Sequence, residues 1–345
     1  MKRIFLIITA IAALVFNSCS NKVDLYNNDG ETTVIYAMLD SDADTNFFKI
    51  THSFSGSVSA NAYNYDALNY KYEDIDVTLT GVFKGSGATQ TITLDTISKW
   101  IPYNPDATFY SGCWQRYYYT TKGLNEGKEY TLNVLRKKDN VTVSTTTQTI
   151  NTFVYQKPNS TSDIIFTDVT SSTANVEWKV TVAPYKSTAA YFEVVGYFNY
   201  SEQLTPTSEI THHSIKWTLG SGLADNLYNT SSTLPYYVIS YTPSALFTLL
   251  ANDEYLKNNS PAGVQRWFEK FEFKVSAIGE DLYNYYLVTN STSAIQDVPN
   301  YSNVENGMGI MSARITKTLP LEIAIKTKNK IHDKFENYGF PYTYQ

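Results

Sequence analysis

Apolar and polar residues alternate along several short stretches of this chain, and many of these residues are β-branched. The alternation is clear in residues 32–39, 47–51, 75–83 and 89–94. Successive side chains of a β-strand point to opposite faces, so a period of two predicts strands rather than helices. The glycine-rich residues 84–87 lie between the last two stretches and predict a hairpin turn. We therefore expect a mainly β fold.

Composition limits the classes of protein to which the chain can belong. It has 345 residues, of which 43% are hydrophobic, so it can bury a sizeable core. A domain usually takes about 100–200 residues, which predicts two domains. The 27 basic and 33 acidic residues give a formal net charge of −6, which leaves no strongly cationic surface for a nucleic-acid backbone. We expect no nucleic-acid partner.

Two local patterns indicate the type of β fold. Leu124 precedes Tyr130 by six residues at the start of a predicted strand, a spacing that resembles the tyrosine corner of immunoglobulin-like and fibronectin type III sandwiches. Val176, Trp178 and Val180 point to one face of a later predicted strand, similar to the second strand of a fibronectin type III domain. The resemblance implies two immunoglobulin/fibronectin-like β-sandwich domains.

A Pro- and Ser-containing stretch at residues 155–162 predicts a linker between these domains. The first β-sandwich domain is then expected at residues 31–157 and the second at 158–316. We predict a small helical insertion in the second domain at about 243–270, and leave the tail at 317–345 unassigned.

Three helices are predicted from capping and periodicity. Ser244 can cap a helix that continues to about residue 256, and Ser260-Pro261 predicts the start of another short helix. Residues 280–288 predict a third helix, because acidic residues stand in its first turn.

The amino terminus has the pattern of a secretion signal. Lys2 and Arg3 precede an apolar run at residues 4–16, which is shorter than the ~20 residues that a transmembrane helix needs. Cys19 follows, in an arrangement that resembles the lipobox of bacterial lipoproteins. The resemblance implies a lipoprotein signal peptide at 1–18, a lipidated Cys19 that attaches the protein to a membrane, and a polar tether at 19–30.

Longer stretches resemble one family as a whole, an uncharacterised group of outer-membrane lipoproteins of Bacteroidetes. They are residues 34–40, 47–50, 276–283 and 301–311, and the last is the most specific because an Asn-x-x-Asn-Gly-x-Gly pattern precedes its strand. The resemblance implies a lipid anchor in the cell envelope and β-rich domains. It implies no reaction, because the family has none assigned.

Patterns that would carry chemistry are incomplete. Asp40, Asp42 and Asp44 alternate as at the opening of a calcium loop, but Thr45 stands where the turn glycine is needed, so we predict a hairpin turn. His212 and His213 are adjacent and would face opposite ways on a strand, which does not suit one metal ion. We expect no cofactor, no metal and no catalytic residues.

Aromatic residues are dense between residues 100 and 119, where Pro102 and Pro105 favour a loop. Exposed flat rings could stack on a sugar or hold a peptide, whereas buried rings would fill the core of a sandwich. The candidate ligand-binding residues are Trp100, Tyr103, Tyr110 and Trp114.

The leading hypothesis is a non-enzymatic, lipid-anchored envelope protein that acts as a binding or accessory module of an outer-membrane or surface assembly. Its partner would be a protein such as a TonB-dependent transporter, or a glycan. One alternative is a surface glycan hydrolase, which needs two carboxylates facing each other across a cleft. Another is a structural subunit of a surface fibre or adhesin, which would donate or accept an edge strand. The face of the outer membrane is left open.

Overall fold

The structure is a computed structural model, and it describes residues 32–53, 68–102, 113–180, 186–230, 235–290 and 301–344. The fold is mainly β, with 51% strand and 15% helix, as the period-two pattern predicts. The predicted signal peptide, Cys19 and the tether lie outside the described residues.

The first four strands of the described residues coincide with the four alternating stretches. In chain order they are β1 (Thr33–Leu39), β2 (Asn46–His52), β3 (Ile75–Gly81), β4 (Gln90–Thr93), β5 (Asp95–Ile101), β6 (Cys113–Thr120), β7 (Glu129–Arg136), β8 (Val141–Gln148), β9 (Phe153–Lys157), β10 (Ala174–Val180), β11 (Tyr191–Gln203), β12 (Thr211–Leu223), β13 (Tyr228–Asn229), β14 (Tyr236–Tyr241), β15 (Gln265–Ile278), β16 (Val304–Glu305) and β17 (Met308–Leu321).

The helices of the described residues are short and lie in the second half of the chain. They are α1 (Ala224–Leu227), α2 (Ala245–Asn252), α3 (Glu254–Asn258), α4 (Glu280–Asn290) and α5 (Ile325–Lys334), with a 3₁₀ turn at Glu336–Tyr338.

Three sheets are built from these strands. An eight-stranded sheet has the order β12-β11-β15-β17-β1-β2-β6-β5, a five-stranded sheet the order β16-β8-β7-β3-β4, and a four-stranded sheet the order β13-β14-β10-β9. The eight-stranded sheet takes strands from both sides of residue 158, because β1 pairs in parallel with β17. The predicted boundary between two domains at residue 158 stays a prediction. The eight-stranded sheet contains strands from both predicted domains.

One apolar core joins residues of all three sheets. Trp178 of β10 is fully buried against Phe153, Phe192 and Tyr237, which places the four-stranded sheet over β11. Tyr155 of β9 fixes the same two layers, since its hydroxyl lies 2.9 Å from two carbonyl oxygens, one on β15 and one on β17.

The pattern at residues 301–311 is the junction between two sheets. Gly309 has a φ of 111° and passes so close to β1 that a Cβ would lie 2.0 Å from the carbonyl oxygen of Ile35, so only glycine fits there. The Asn303 side chain accepts from the Met311 N–H (3.0 Å) and donates to the Met311 carbonyl (2.7 Å). Asn306 has a φ of 57° and donates to the carbonyl of Thr142 on β8. The motif therefore carries the chain from β16 of one sheet to β17 of another.

The predicted turns and helices are mostly present. Residues 40–45 and 82–89 connect antiparallel strands, and Gly85 takes a positive φ. The first predicted helix forms as α2 and α3, with the Asp253 carboxylate capping α3 through the Leu256 N–H (2.8 Å). The third forms as α4.

The helix predicted from Ser260-Pro261 is wrong. Residues 261–264 form a turn with Gly263 at a φ of 89°, and β15 begins at Gln265. The competing interaction is the buried ion pair of Arg266 with Glu202, whose Nη2 and Oε2 atoms are 2.5 Å apart. The insertion therefore ends at residue 258, and residues 265–270 belong to a sheet.

The carboxyl-terminal residues are part of the fold. Arg266 also donates to the carbonyl of Tyr338, and its own backbone N–H bonds to the carbonyl of Gly339 (2.9 Å). Phe340 is buried against Phe198 and Phe268. The unassigned tail thus includes the end of β17 and α5, which close one end of the core.

Candidate binding sites

The first candidate site is the ribbon formed by β5 and β6 at the edge of the eight-stranded sheet. Trp100 stands directly opposite Trp114, and their ring centroids are 5.7 Å apart in an edge-to-face arrangement. The two side chains are 51% and 52% exposed. Tyr103 and Tyr110, the other two predicted ligand-binding residues, lie outside the described residues. The structure therefore brings together the predicted residues that it describes.

The expectation that these tryptophans stand on a loop is corrected by the structure. Both lie on strands, Trp100 near the end of β5 and Trp114 near the start of β6. Pro102 follows β5 directly, and a proline cannot continue the ladder of a sheet. The tryptophans therefore form a cross-strand pair, whose register holds them more firmly than a loop would.

Neighbouring residues hold the ribbon in place. The Asn69 side chain accepts from the Arg116 N–H and donates to the Trp114 carbonyl, each at 3.1 Å. The Arg116 guanidinium lies 4.0 Å from the centre of the Tyr72 ring. Tyr118 is buried where the ribbon joins the core, and burial raises its pKa to about 12. The inner end of the ribbon is thus anchored while the tryptophans stay open to solvent.

The opposite face of this part of the sheet is also aromatic. Phe47 packs edge-to-face on Tyr117 at 6.4 Å, and Tyr36 is half exposed beside this pair in the sheet. The ammonium of Lys99 lies 4.3 Å from the centre of the Phe47 ring, a cation–π contact. A lysine on an edge strand also discourages unwanted strand pairing. The aromatic residues and the lysine on this face are therefore explained by their contribution to the structure.

Tyr130, one of the two predicted tyrosine-corner residues, bonds to the backbone through its hydroxyl. The Tyr130 hydroxyl donates to the Val82 carbonyl (2.5 Å) and accepts from the Asn125 N–H (2.7 Å). Leu124 is fully buried, and its backbone bridges to Phe83. These bonds fix the crossover into β7, which is a structural role.

A serine, a histidine and a glutamate meet near the β12 edge of the eight-stranded sheet. Ser201 Oγ and Glu269 Oε1 both approach Nδ1 of His212, at 3.2 and 2.6 Å. In a Ser-His-Asp/Glu catalytic triad the carboxylate bonds to one ring nitrogen of the histidine and the serine to the other. Here both groups approach the same nitrogen, so the three side chains do not form a catalytic triad. The Ser201 hydroxyl, with a smaller contribution from His212, holds the pKa of Glu269 below its ordinary value.

The second candidate site was not found from the sequence. It is a cleft on the outer face of the eight-stranded sheet, lined by Tyr191, Glu193, Ser276, Ile278, Tyr283, Tyr286, Leu287 and Arg314. These residues come from β11, β15, α4 and β17. α4 follows β15 directly, whereas β11 lies more than sixty residues earlier in the chain. The alternating strands and the helix at 280–288 are visible in the sequence, but nothing local shows that α4 folds onto β17.

Membrane-spanning helices and groups of metal ligands are both absent from the described residues. None of their helices is long and apolar enough to cross a membrane. Among the same residues, no three His, Cys, Asp or Glu side chains are grouped as metal ligands would be. Cys113 is buried in β6, as a small apolar side chain would be.

Comparison with known proteins relates the whole assembly to one family. The family model for DUF4249, a domain of unknown function, matches residues 21–318. No curated protein matches the chain. The match includes most of the strands of all three sheets, the tryptophan ribbon and the cleft. Because it covers far more than half of the sequence, the chain belongs to the DUF4249 family.

Proposed function

We propose that this protein is a non-enzymatic binding or accessory module, held at the outer membrane by a lipid on Cys19, that contacts its partner through the tryptophan ribbon. The observation that carries the proposal is the cross-strand pair of Trp100 and Trp114, which is half exposed on an anchored ribbon. Large aromatic side chains of this kind dominate the affinity of many interfaces.

The position of the ribbon supports a role in binding. β5 is the last strand at this end of the eight-stranded sheet among the described residues, and no other described strand pairs with its outer side. A partner can therefore reach both indole rings and the unpaired backbone groups of β5 together. Such a rigid platform loses little conformational entropy on binding.

The amino-terminal sequence supports a lipid on Cys19 as the membrane anchor. Cys19 follows a charged and then apolar amino terminus, and acyl chains on it would gain ~0.8 kcal/mol for each buried CH₂ group. With an acidic protein body, electrostatic attraction to anionic lipids would contribute little. The expected partner of a module anchored in this way is a TonB-dependent transporter in the same membrane.

Affinity purification of the tagged, membrane-extracted protein tests the contact with the transporter, and sedimentation with envelopes tests the lipid anchor. Wild-type protein should recover a TonB-dependent transporter, and the double variant Trp100→Ala/Trp114→Ala should recover at least about tenfold less, since hot-spot residues often account for ~2 kcal/mol or more each. Trp267→Ala is the matched control, because Trp267 is an exposed tryptophan on β15, away from the ribbon.

Two results would contradict the proposal. If the double variant recovers the transporter as well as the Trp267→Ala control does, the ribbon is not the contact. If Cys19→Ser still sediments with envelopes as the wild type does, the lipid is not the anchor.

A further inference from the structure

The cleft beside α4 is separate from the tryptophan ribbon. In the eight-stranded sheet β1 and β2 lie between β17, which carries the cleft, and β6, which carries the ribbon. The cleft has a volume of about 730 Å³. Sites for small ligands usually have ~300–1,000 Å³, so it can enclose a molecule of that size.

The floor and one wall of the cleft are apolar. Ile278 of β15 and Leu287 of α4 supply aliphatic surface, and Tyr286 is half exposed beside them. The rings of Tyr191 and Tyr283 stack on each other, with centroids 5.2 Å apart and an interplanar angle of 19°. Because these two rings stack on each other, one face of each ring is covered and is not free to stack on a sugar.

Two charged side chains in the cleft form no ion pair with another of the described residues. Arg314 is exposed and Glu193 is half buried, and neither makes a hydrogen bond or an ion pair with its side chain to another of the described residues. Asp40 acts on Arg314 only through space. The cleft therefore presents one cationic and one anionic group above an apolar floor.

The register of the strands fixes the spacing of these charges. Ile278 lies opposite both Tyr191 and Arg314, and Ser276 lies opposite both Glu193 and Thr316. Glu193 and Arg314 are thus two strands apart and offset by two residues. With ~4.8 Å between strands and ~3.4 Å between residues, their Cα atoms are separated by about 12 Å.

A ligand that satisfies both groups needs an anionic end, a cationic end and an apolar middle. An extended peptide spans ~3.3–3.6 Å per residue, so the termini of a tripeptide are about 10 Å apart. We propose that the cleft binds short peptides of about this length with free ends, the terminal carboxylate on Arg314 and the ammonium on Glu193. The middle side chain would pack on Ile278 and Leu287.

Titration calorimetry with the full-length protein in detergent tests this, using alanyl-leucyl-alanine as the probe. Amidation of its carboxyl end should weaken binding to the wild type about tenfold, because a hydrogen-bonded charge pair is lost. The same amidation should have no effect on the Arg314→Gln variant. Acetylation of the amino end should weaken binding to the wild type but not to Glu193→Gln.

Lys216→Gln serves as the matched control, because Lys216 is an exposed charge on β12, outside the residues that line the cleft. It should bind all three peptides as the wild type does, and urea unfolding checks that every variant is folded.

No binding at ~10 mM peptide, a concentration at which even weak sites fill, would overturn the proposal. So would an amidation effect that persists in Arg314→Gln, or a uronic-acid disaccharide binding where the tripeptide does not. None of these results depends on Cys19 or on the ribbon.

Discussion

Tryptophan occupies two opposite environments in this protein. Trp178 lies on the inner strand β10, fully buried between two sheets and in contact with Phe153, Phe192 and Tyr237. Trp100 and Trp114 lie on the edge ribbon and are half exposed, with each other as ring partners. All three are strand residues in alternating patterns, so secondary structure does not distinguish them.

The difference is made by what covers each strand. β10 faces the eight-stranded sheet, so every side chain on its inner face meets another layer. The outer end of the ribbon has no such cover among the described residues, and its rings stay in water. A ring that fills a core contributes stability, whereas an exposed pair contributes little and remains available for binding.

The largest effect is expected from raising the pH. Burial raises the pKa of Tyr237 and that of Tyr241 to about 12, from an ordinary value of 10.0. In the unfolded chain both ionise at the lower value, so their contribution to stability is complete below pH 10 and is lost as the pH rises toward 12. The urea midpoint should fall steeply across this window. Tyr237→Phe should show a smaller fall, and an equal fall in that variant would contradict the assignment.

Trp178→Ala should be the most damaging single substitution considered for this core. Removing a fully buried indole leaves a cavity between the two sheets and should lower the free energy of unfolding by ~3–5 kcal/mol. Urea denaturation measures it. Trp178→Phe should lose less, because Nε1 of Trp178 has no hydrogen-bond partner among the described residues. A loss for Trp178→Ala no greater than that for Trp114→Ala would remove the distinction between the two environments.

Tyr130→Phe probes a buried hydroxyl instead of a ring. The variant keeps the packing but leaves the Val82 carbonyl and the Asn125 N–H without this partner, which should cost ~1–3 kcal/mol. Tyr119→Phe is the control, since Tyr119 is a partly exposed tyrosine that contacts Phe47 through its ring. If both variants unfold at the same urea concentration, the corner contributes nothing beyond packing.

Local alternation in the sequence predicts β1 to β4, and capping and periodicity predict α2 to α4. The tyrosine-corner role of Leu124 and Tyr130 stays a prediction. Long-range pairing was not accessible in the same way. The parallel contact of β1 with β17 joins residues 274 positions apart, such as Val34 and Met308, and no local periodicity indicates it. The helix predicted at Ser260 is also wrong because of a long-range contact. Arg266 lies in β15, where it forms an ion pair with Glu202, which is distant in the chain.

The candidate sites show the same limit. The density of aromatics draws attention to residues 100–119, but only the pairing of β5 with β6 shows that Trp100 contacts Trp114. Glu193 on β11 and Arg314 on β17 come from separate parts of the chain, so neither residue indicates the cleft by itself. The sequence pattern shows which side chains alternate along a strand. Which face of a sheet stays exposed to solvent depends on how the sheets and helices pack.

The smallest effect on stability is expected at the ribbon, where the largest effect on binding is proposed. Exposed substitutions usually change the free energy of unfolding by about 0.5 kcal/mol or less, and an edge-to-face pair adds ~0.5–1.5 kcal/mol. A double-mutant cycle with Trp100→Ala, Trp114→Ala and the double variant should therefore give a coupling within that range. A coupling near zero would mean that the rings do not meet in solution. A loss as large as that of Trp178→Ala would mean that the ribbon belongs to the core, and the contrast between the two environments would fail.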